Sequence, residues 1–593
     1  MSARYAVGID LGTTNSALAY CALDAESPRV EVLNVPQLVA PATIEERPLL
    51  PSFLYLGTDA DAKAKSFDLP WEKKREYALG ELARRQSAEV PTRTVAAAKS
   101  WLCHSRVDRH QPILPWNAPT DVPKISPVTA STRYLAHLAA AWQAAFKSAP
   151  LAEQQVVLTV PASFDPAARE LTREAAMAAG LPENLILLEE PQAAVYAWLA
   201  DQGDQWRKRM SVGDRLLVCD VGGGTTDFTL IGVGQESGDL TLERLAVGNH
   251  ILVGGDNMDL ALAHFVAGAF GQKGVQLDPW QSVALWHSCR HAKETLLDSN
   301  GPKKHPVAVL GRGSKLIKGT VSVDVERESV GELLVDGFFP QCQLGDEPAR
   351  QRASGFRELG LPFEADTAIT RHLAAFLRSQ GQTGEAVQPT HVLFNGGVFK
   401  SALLRERLFG VLASWFAGPP PQPMAGNQDL DFAVARGAAY YGYAKQRKAV
   451  RIRGGTARSY YVGIETAGPA IPGAGRPLRA LCVVPFGMEE GTENDVPSGE
   501  IGLVVGEPAQ FRFFSSAVRK DDRPGTLLPS WSETELTETD ALVATLPKGE
   551  GIEDYVPVRF QSKITEMGMF ELWCQSTISP HRWKLEFSVR EES

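Results

Sequence analysis

One short pattern occurs twice, and it limits what the chain can fold into more than any other feature. Tyr5-Ala-Val-Gly-Ile-Asp-Leu-Gly-Thr-Thr-Asn-Ser16 and Leu216-Leu-Val-Cys-Asp-Val-Gly-Gly-Gly-Thr-Thr-Asp227 share one order of parts. An apolar strand delivers an aspartate, then glycine-rich backbone, a threonine pair and a second alternating strand. Glycine lets backbone amides approach phosphate oxygens, and threonine hydroxyls add donors. The aspartate ending each first strand is placed to hold a hydrated divalent cation beside the phosphates. Two copies predict two similar lobes closing on one nucleotide from opposite sides, and ATP is the expected ligand.

A chain of 593 residues divides into several domains at roughly 100–200 residues each. Its 44% apolar and 22% charged content is that of a soluble globular protein with large cores. The net charge of −10 is spread without acidic or basic blocks, which argues against nucleic acid as the main partner. No apolar run reaches the roughly 18 residues of a membrane span, and the N-terminus enters a strand too early for a signal peptide. No membrane association and a cytoplasmic location are therefore expected. Seven scattered cysteines without a CxxC pair read as reduced, buried thiols; Cys219 beside Asp220 reads as a small core residue closing a strand, with an oxidation sensor as the minor alternative.

Up to about residue 445, strand and helix patterns alternate as in an α/β region. Val156–Val160 and Leu185–Leu188 are expected strands. Asp165 caps a helix that has Pro166 in its first turn and Gly180 as its stop. His391–Phe394 leads into Asn395-Gly396-Gly397 and a helix from about Ser401 to Trp415. After Lys448 the pattern turns to short alternating segments, such as Gln510–Phe514 and Trp583–Val589, between Gly/Pro/Asp/Ser turns, which predicts an all-β module.

No P-loop, HExxH, zinc-type spacing or GxSxG elbow is present, so the expected chemistry is phosphoryl transfer by positioning and charge neutralisation. Six ordered motifs across residues 4–445 resemble the DnaK-type heat-shock chaperones of the actin-like ATPase superfamily. They are Gly8–Ser16, Thr159–Asp165 with Arg169, Glu190-Pro-Gln-Ala-Ala194, Asp220–Asp227, then Gly248-Asn-His with Gly254-Gly-Asp256 and Asn395-Gly-Gly397, closed by Asp431–Ala439. The resemblance implies an α/β, two-lobed actin-like domain of duplicated ribonuclease-H-like subdomains over residues 1–447. A linker at 448–455 and a β-sandwich-like module at 456–593 would follow.

By the same resemblance, Asp10 and Asp220 surround hydrated Mg²⁺, and Asp227 stands near a monovalent cation such as K⁺. Gly12, Thr13, Thr14, Asn15, Gly222, Gly223, Gly224, Thr225 and Gly255 cradle phosphates. Lys99 and Glu190 orient the attacking water, while Pro161 and Arg169 pass nucleotide state outward. Three blander readings stand beside these: Lys99 as a surface lysine, Glu190 as a helix cap and Arg169 as a solvated helix residue. Lys293, Gly396, Gly397, Lys400 and Asp431 fall at the base site, which departs from the pattern. Arg290, Glu294 and Leu297 stand where relatives often have Glu, Arg and Ser, and Lys400 replaces a planar arginine with a flexible ammonium. His291 reads as a surface residue.

The linker Lys448–Gly455 is basic where the family is leucine- and aspartate-rich, which puts interdomain coupling in question. Only four residues follow Val589, so no helical lid is expected. Phe511–Phe514, Met567 and Met569 are candidate walls of a peptide pocket, or ordinary sandwich core. The resemblance implies a slow ATPase that couples ATP/ADP state to a client polypeptide, with a co-chaperone or exchange factor as further partners. Two alternatives are a nucleotide-gated interaction protein for one dedicated partner and, less compatible with the β module, a small-molecule kinase.

Overall fold

Each copy of the repeated pattern forms an antiparallel strand pair joined at its glycine–threonine turn. Tyr5–Leu11 pairs with Asn15–Ala22, and Arg215–Val221 pairs with Thr226–Glu236. The computed structural model describes residues 3–585 except 27, 105–106, 117, 237–238, 250, 311–319, 350–360, 362, 382–384, 425–428, 448–451, 454, 457, 466–477, 490, 540–541, 549–554 and 566–569. His250, Met567, Met569, five of the eight linker residues, residues 586–589 and much of 338–366 lie outside the described residues.

The first sheet runs Ile186–Glu189, Gln155–Val160, Tyr5–Leu11, Asn15–Ala22, Glu31–Val32. The second runs Gln422–Pro423, His391–Asn395, Arg215–Val221, Thr226–Glu236, Asp239–Val247, Ile452–Arg453. In both, the strand that carries the aspartate has its antiparallel hairpin partner on one side and a parallel strand on the other. Strands buried on both faces read as near-continuous apolar runs. Val156–Val160 and Leu216–Val221 do so, and every residue in them is buried.

The helix Ala433–Arg447 packs on the first sheet's Tyr5–Leu11 and on the helix Glu190–Gln202. Small residues set the approach. A methyl at Gly437 would lie 1.7 Å from the Ala193 carbonyl oxygen, and one at Gly8 would lie 2.2 Å from that of Ala435. Backbone cannot yield as a side-chain tip can. Gly437→Ala is therefore expected to destabilise the fold by about 3 kcal/mol, the upper range for overpacking, measured by denaturant unfolding. It would also shift Glu190, which lies in the first turn of the helix being pushed.

The C-terminal part is a β-sandwich. One sheet orders Leu527–Leu528, Leu478–Val484, Ser459–Glu465, Phe513–Ser516, Thr537–Glu538. The other contains Glu493–Asp495, Tyr555–Ile564, Phe570–Ser576 and Arg582–Leu585, and Val462, Phe513, Val558 and Leu572 meet in the core between them. No helix is found among the described residues beyond Arg447.

The segment expected as a single strand at Gln510–Phe514 divides at Arg512. Pro508–Phe511 pairs with Leu542–Thr545, whereas Phe513–Ser516 pairs with Ser459–Val462. Phe513 and Phe514 are buried in sandwich cores. The linker differs from expectation as well. Ile452–Arg453 extends the second sheet beside Leu242–Glu243, and the Ile452 amide donates to the Tyr196 hydroxyl at 2.8 Å.

The cysteines are all free, and all but the part-exposed Cys103 are buried. No helix among the described residues is long and apolar enough to cross a membrane.

Candidate active site

A cavity of about 360 Å³ opens where the aspartate ends of the two sheets face each other. Its walls include Asp10, Gly12, Thr13, Thr14, Asn15, Lys99, Glu190, Asp220, Gly222, Gly223, Thr225, Gly255, Lys293, Gly396, Gly397, Lys400 and Asp431. Residues distant in sequence arrive there by strand register. Asp10 ends one strand, and Asp220 sits opposite both Asp227 and Asn395 in the other sheet. Four of the expected site residues lie behind the wall. Gly224 packs where an added methyl would meet Ser100 Oγ at 2.4 Å, and Asp227 is buried with one carboxylate oxygen lacking a hydrogen-bond partner. Pro161 and Arg169 stand outside the cavity.

Lys99 is buried, and its ammonium donates to the Glu190 carboxylate. Glu190 thus faces the cavity, and its helix has no side-chain cap bond. Burial pulls Lys99 down, but Glu190 and Asp10 more than offset it and hold the ammonium above its usual range. Burial raises the Glu190 carboxyl against the opposing pull of Lys99. Asp10 is pushed up to about 7 by burial and by Glu190, with Lys99 opposing. Asp220 is held well above the usual carboxylate range by burial and by Glu190, although Asn395 Nδ2 donates to it at 2.8 Å.

A carboxyl raised in the folded state binds its proton more tightly there than in the unfolded chain. Its stability contribution is therefore intact below its ordinary value of 3.8 and declines as pH rises to about 7. The ligand-free protein should gain about 1 kcal/mol from Asp10 between pH 8 and pH 6, by the rule of about 1.4 kcal/mol per unit. Thermal unfolding at the two pH values, beside Asp10→Asn, checks this. The variant should lose that part of the slope.

The glycine turns leave room for a bound anion and fill against each other. A methyl on Gly223 would lie 2.1 Å from Thr14 Oγ1, and one on Gly12 would lie 2.1 Å from the Asn15 carbonyl oxygen. Gly396 takes a positive φ of 88°, and its added methyl would meet the Val221 carbonyl oxygen at 2.3 Å. The helix Gly255–Gln272 starts at the cavity with Gly254 as its cap, presenting the positive end of its dipole. These features fit a phosphate chain. No three His, Cys, Asp or Glu side chains among the described residues converge as a direct metal cage. Asp10 and Asp220 suit a Mg²⁺ ion that keeps its waters, as Mg²⁺ commonly does.

At the other end, sequence reasoning named Arg290, Lys293, Lys400 and Asp431 but did not foresee the ion pairs that hold them. Arg290 is buried, donating to Asp256 at 2.5 Å and Asp259 at 2.7 Å, and its guanidinium lies over Phe53 and Trp286. Lys293 reaches Asp259 at 2.7 Å and the Gly255 carbonyl at 3.0 Å. Lys400 pairs with Asp431 at 2.5 Å. The helix that carries Arg290 has apolar residues all round, so its sequence could not show which face meets the acidic pair. His291 is exposed, beside the His305 ring.

A second unforeseen cluster leads away from the cavity. Glu189, next to Glu190, accepts from Arg169 at 2.9 Å and from Arg244, and Arg244 also donates to the Gly455 carbonyl. Arg169 is thus mostly buried and not solvated. Two more bonds tie the sandwich to the second sheet: Arg458 donates to the Gly248 carbonyl at 3.2 Å, and Lys520 to that of Leu245 at 2.7 Å.

Comparison with known proteins places this arrangement. Residues 69–336 match the family described as Hsp70 protein. Chaperone protein HscA of Enterobacter sp. (strain 638) is 32% identical over 275 residues, 44% of this chain and 38% of its own length. The proteins of that name from Xenorhabdus nematophila and Photorhabdus laumondii are 33% and 34% identical over 275 residues, with the same 44% and 38% covered. The chain thus spans about 38% of the length of these curated relatives.

Proposed function

The chain belongs to the Hsp70 family, whose members are ATPases, and on that premise we propose that it is a chaperone-like ATPase coupling ATP hydrolysis to client binding. Two lobes of one actin-like domain, residues 1–447, close on the nucleotide. The β-sandwich from residue 456 holds an extended polypeptide by strand-like hydrogen bonds and side-chain pockets. Residues 448–455 join them, with Ile452–Arg453 laid along the second sheet.

The observation that carries this reading is the buried Lys99–Glu190 pair at the wall shared by both glycine–threonine turns. Thr13, Thr14, Asn15 and Thr225 donate to phosphate oxygens, along with the amides of Gly12 and Gly223; the Gly222 and Gly255 amides are taken by the Thr225 and Gly222 carbonyls at 2.9 Å. Asp10 and Asp220 would hold a hydrated Mg²⁺ ion and Asp227 a K⁺ ion, and these ions would supply charge neutralisation. Lys99 holds the attacking water and the terminal phosphate, and Glu190 orients that water. Such preorganised charge is the main resource of phosphoryl transfer without a covalent nucleophile. Pro161 and Arg169 carry the nucleotide state towards the sandwich through Glu189. A co-chaperone or exchange factor completes the cycle, in the cytoplasm.

Calorimetric titration of the whole chain with ADP and ATP, with and without Mg²⁺, tests the reading. Saturable one-site binding that weakens at least tenfold in EDTA is expected. Absence of nucleotide binding in Mg²⁺ would refute it.

A further inference from the structure

The base end of the cavity differs in chemistry from the phosphate end. Leu297, Leu404 and Val434 give it a buried apolar wall that can hold the flat face of any purine. Identity must then be read by polar groups, and the cations that could do so are engaged. Lys293 is held by Asp259 and the Gly255 carbonyl, Arg290 by Asp256 and Asp259, and Lys400 by Asp431.

Three polar side chains on this wall remain, and one of them, Asp298, already accepts from the Asn300 amide at 2.9 Å. Ser401 is 5% exposed, and its hydroxyl is buried without a hydrogen-bond partner. A buried polar atom left unpaired in the protein calls for a partner from elsewhere. Glu294 also lines the cavity, is exposed, and makes no ion pair among the described residues. An ionised carboxylate only accepts, and it takes two parallel donors well, while a serine hydroxyl both donates and accepts.

Adenine presents one amino donor on its pairing edge. Guanine presents two adjacent donors, N1–H and N2–H₂, and a carbonyl acceptor, O6. The acceptor pair of Glu294 and the adaptable Ser401 match the guanine edge better. Resting on the proposed function, we infer that the site does not select adenine: it takes guanine nucleotides with an affinity within about tenfold of adenine nucleotides or better, with Glu294 reading the base and Ser401 bonding to either one.

The test is calorimetric titration of the full chain with MgADP and with MgGDP, repeated for Glu294→Gln and Ser401→Ala. GDP should bind within tenfold of ADP or more tightly. Glu294→Gln should lower the GDP-to-ADP affinity ratio about tenfold, the scale of one lost charge-assisted hydrogen bond. Ser401→Ala should weaken both nucleotides about threefold or more, since its hydroxyl can serve either base. ADP binding more than about tenfold tighter than GDP, or a ratio unmoved by Glu294→Gln, overturns the inference and leaves the proposed function standing. Binding of neither nucleotide overturns both.

Discussion

Lys99→Ala is expected to slow single-turnover ATP hydrolysis roughly 100- to 1,000-fold while ATP still binds, the scale seen when one preorganised charge is removed from a transition state. Lys99 is the buried cation between Glu190 and Asp10, and both carboxylates raise its affinity for a proton. It therefore stays charged throughout the working pH range. The threonines and glycine amides proposed to hold the phosphates belong to other segments, so affinity should change far less than rate. Glu190→Ala should cost a similar factor, and the double variant little more than either single one, because the two side chains act as one unit. Thermal unfolding in parallel separates lost chemistry from lost fold. A rate within threefold of the parent would remove Lys99 from the mechanism.

Glu189→Ala should have the largest effect on stability. Its carboxylate is buried between the guanidiniums of Arg169 and Arg244, and the Arg244 side chain is only 2% exposed. Removing one partner of a buried ion pair leaves the others uncompensated, at about 3–5 kcal/mol. Denaturant unfolding reads that cost. The location adds a functional expectation. Arg244 also donates to Gly455, at the junction with the sandwich, so Glu189, which ends the strand just before the helix of Glu190, is linked through Arg244 to the C-terminal module. Protease sensitivity of the sandwich should respond to ATP in the parent and cease to respond in Glu189→Gln, which keeps the shape but not the charge. A variant as stable as the parent, with an unchanged response to ATP, would show that this cluster carries neither load.

How much of this was legible in the sequence depended on how local the signal was. The repeated Asp–Gly–Thr turns are contiguous, so Asp10, Thr13, Asp220 and Thr225 could be placed on one cavity before any contact was known. Lys99 lacks such a flank. Its burial follows from a short helix, Ala98–Trp101, packed into the first core. Glu189 and Arg244 meet across 55 residues, and nothing in the alternation of Asp239–Val247 marks Arg244 as the buried partner. The acidic pair around Arg290 was hidden for the same reason. At Arg512 the alternation of Gln510–Phe514 runs through the point where the chain changes sheets. Period-2 patterns report which face is buried, not which strand lies alongside. The linker was read by its basic residues, whereas Ile452 is what anchors it to the sheet.

The account stands on nucleotide and polypeptide sites that answer to each other. Single-turnover ATP hydrolysis by the whole chain, with and without an extended hydrophobic peptide, measures that directly. Acceleration by peptide, absent in Lys99→Ala, is the predicted result. A rate that ignores saturating peptide would contradict the coupling and leave an ATP-binding domain whose sandwich serves some other end.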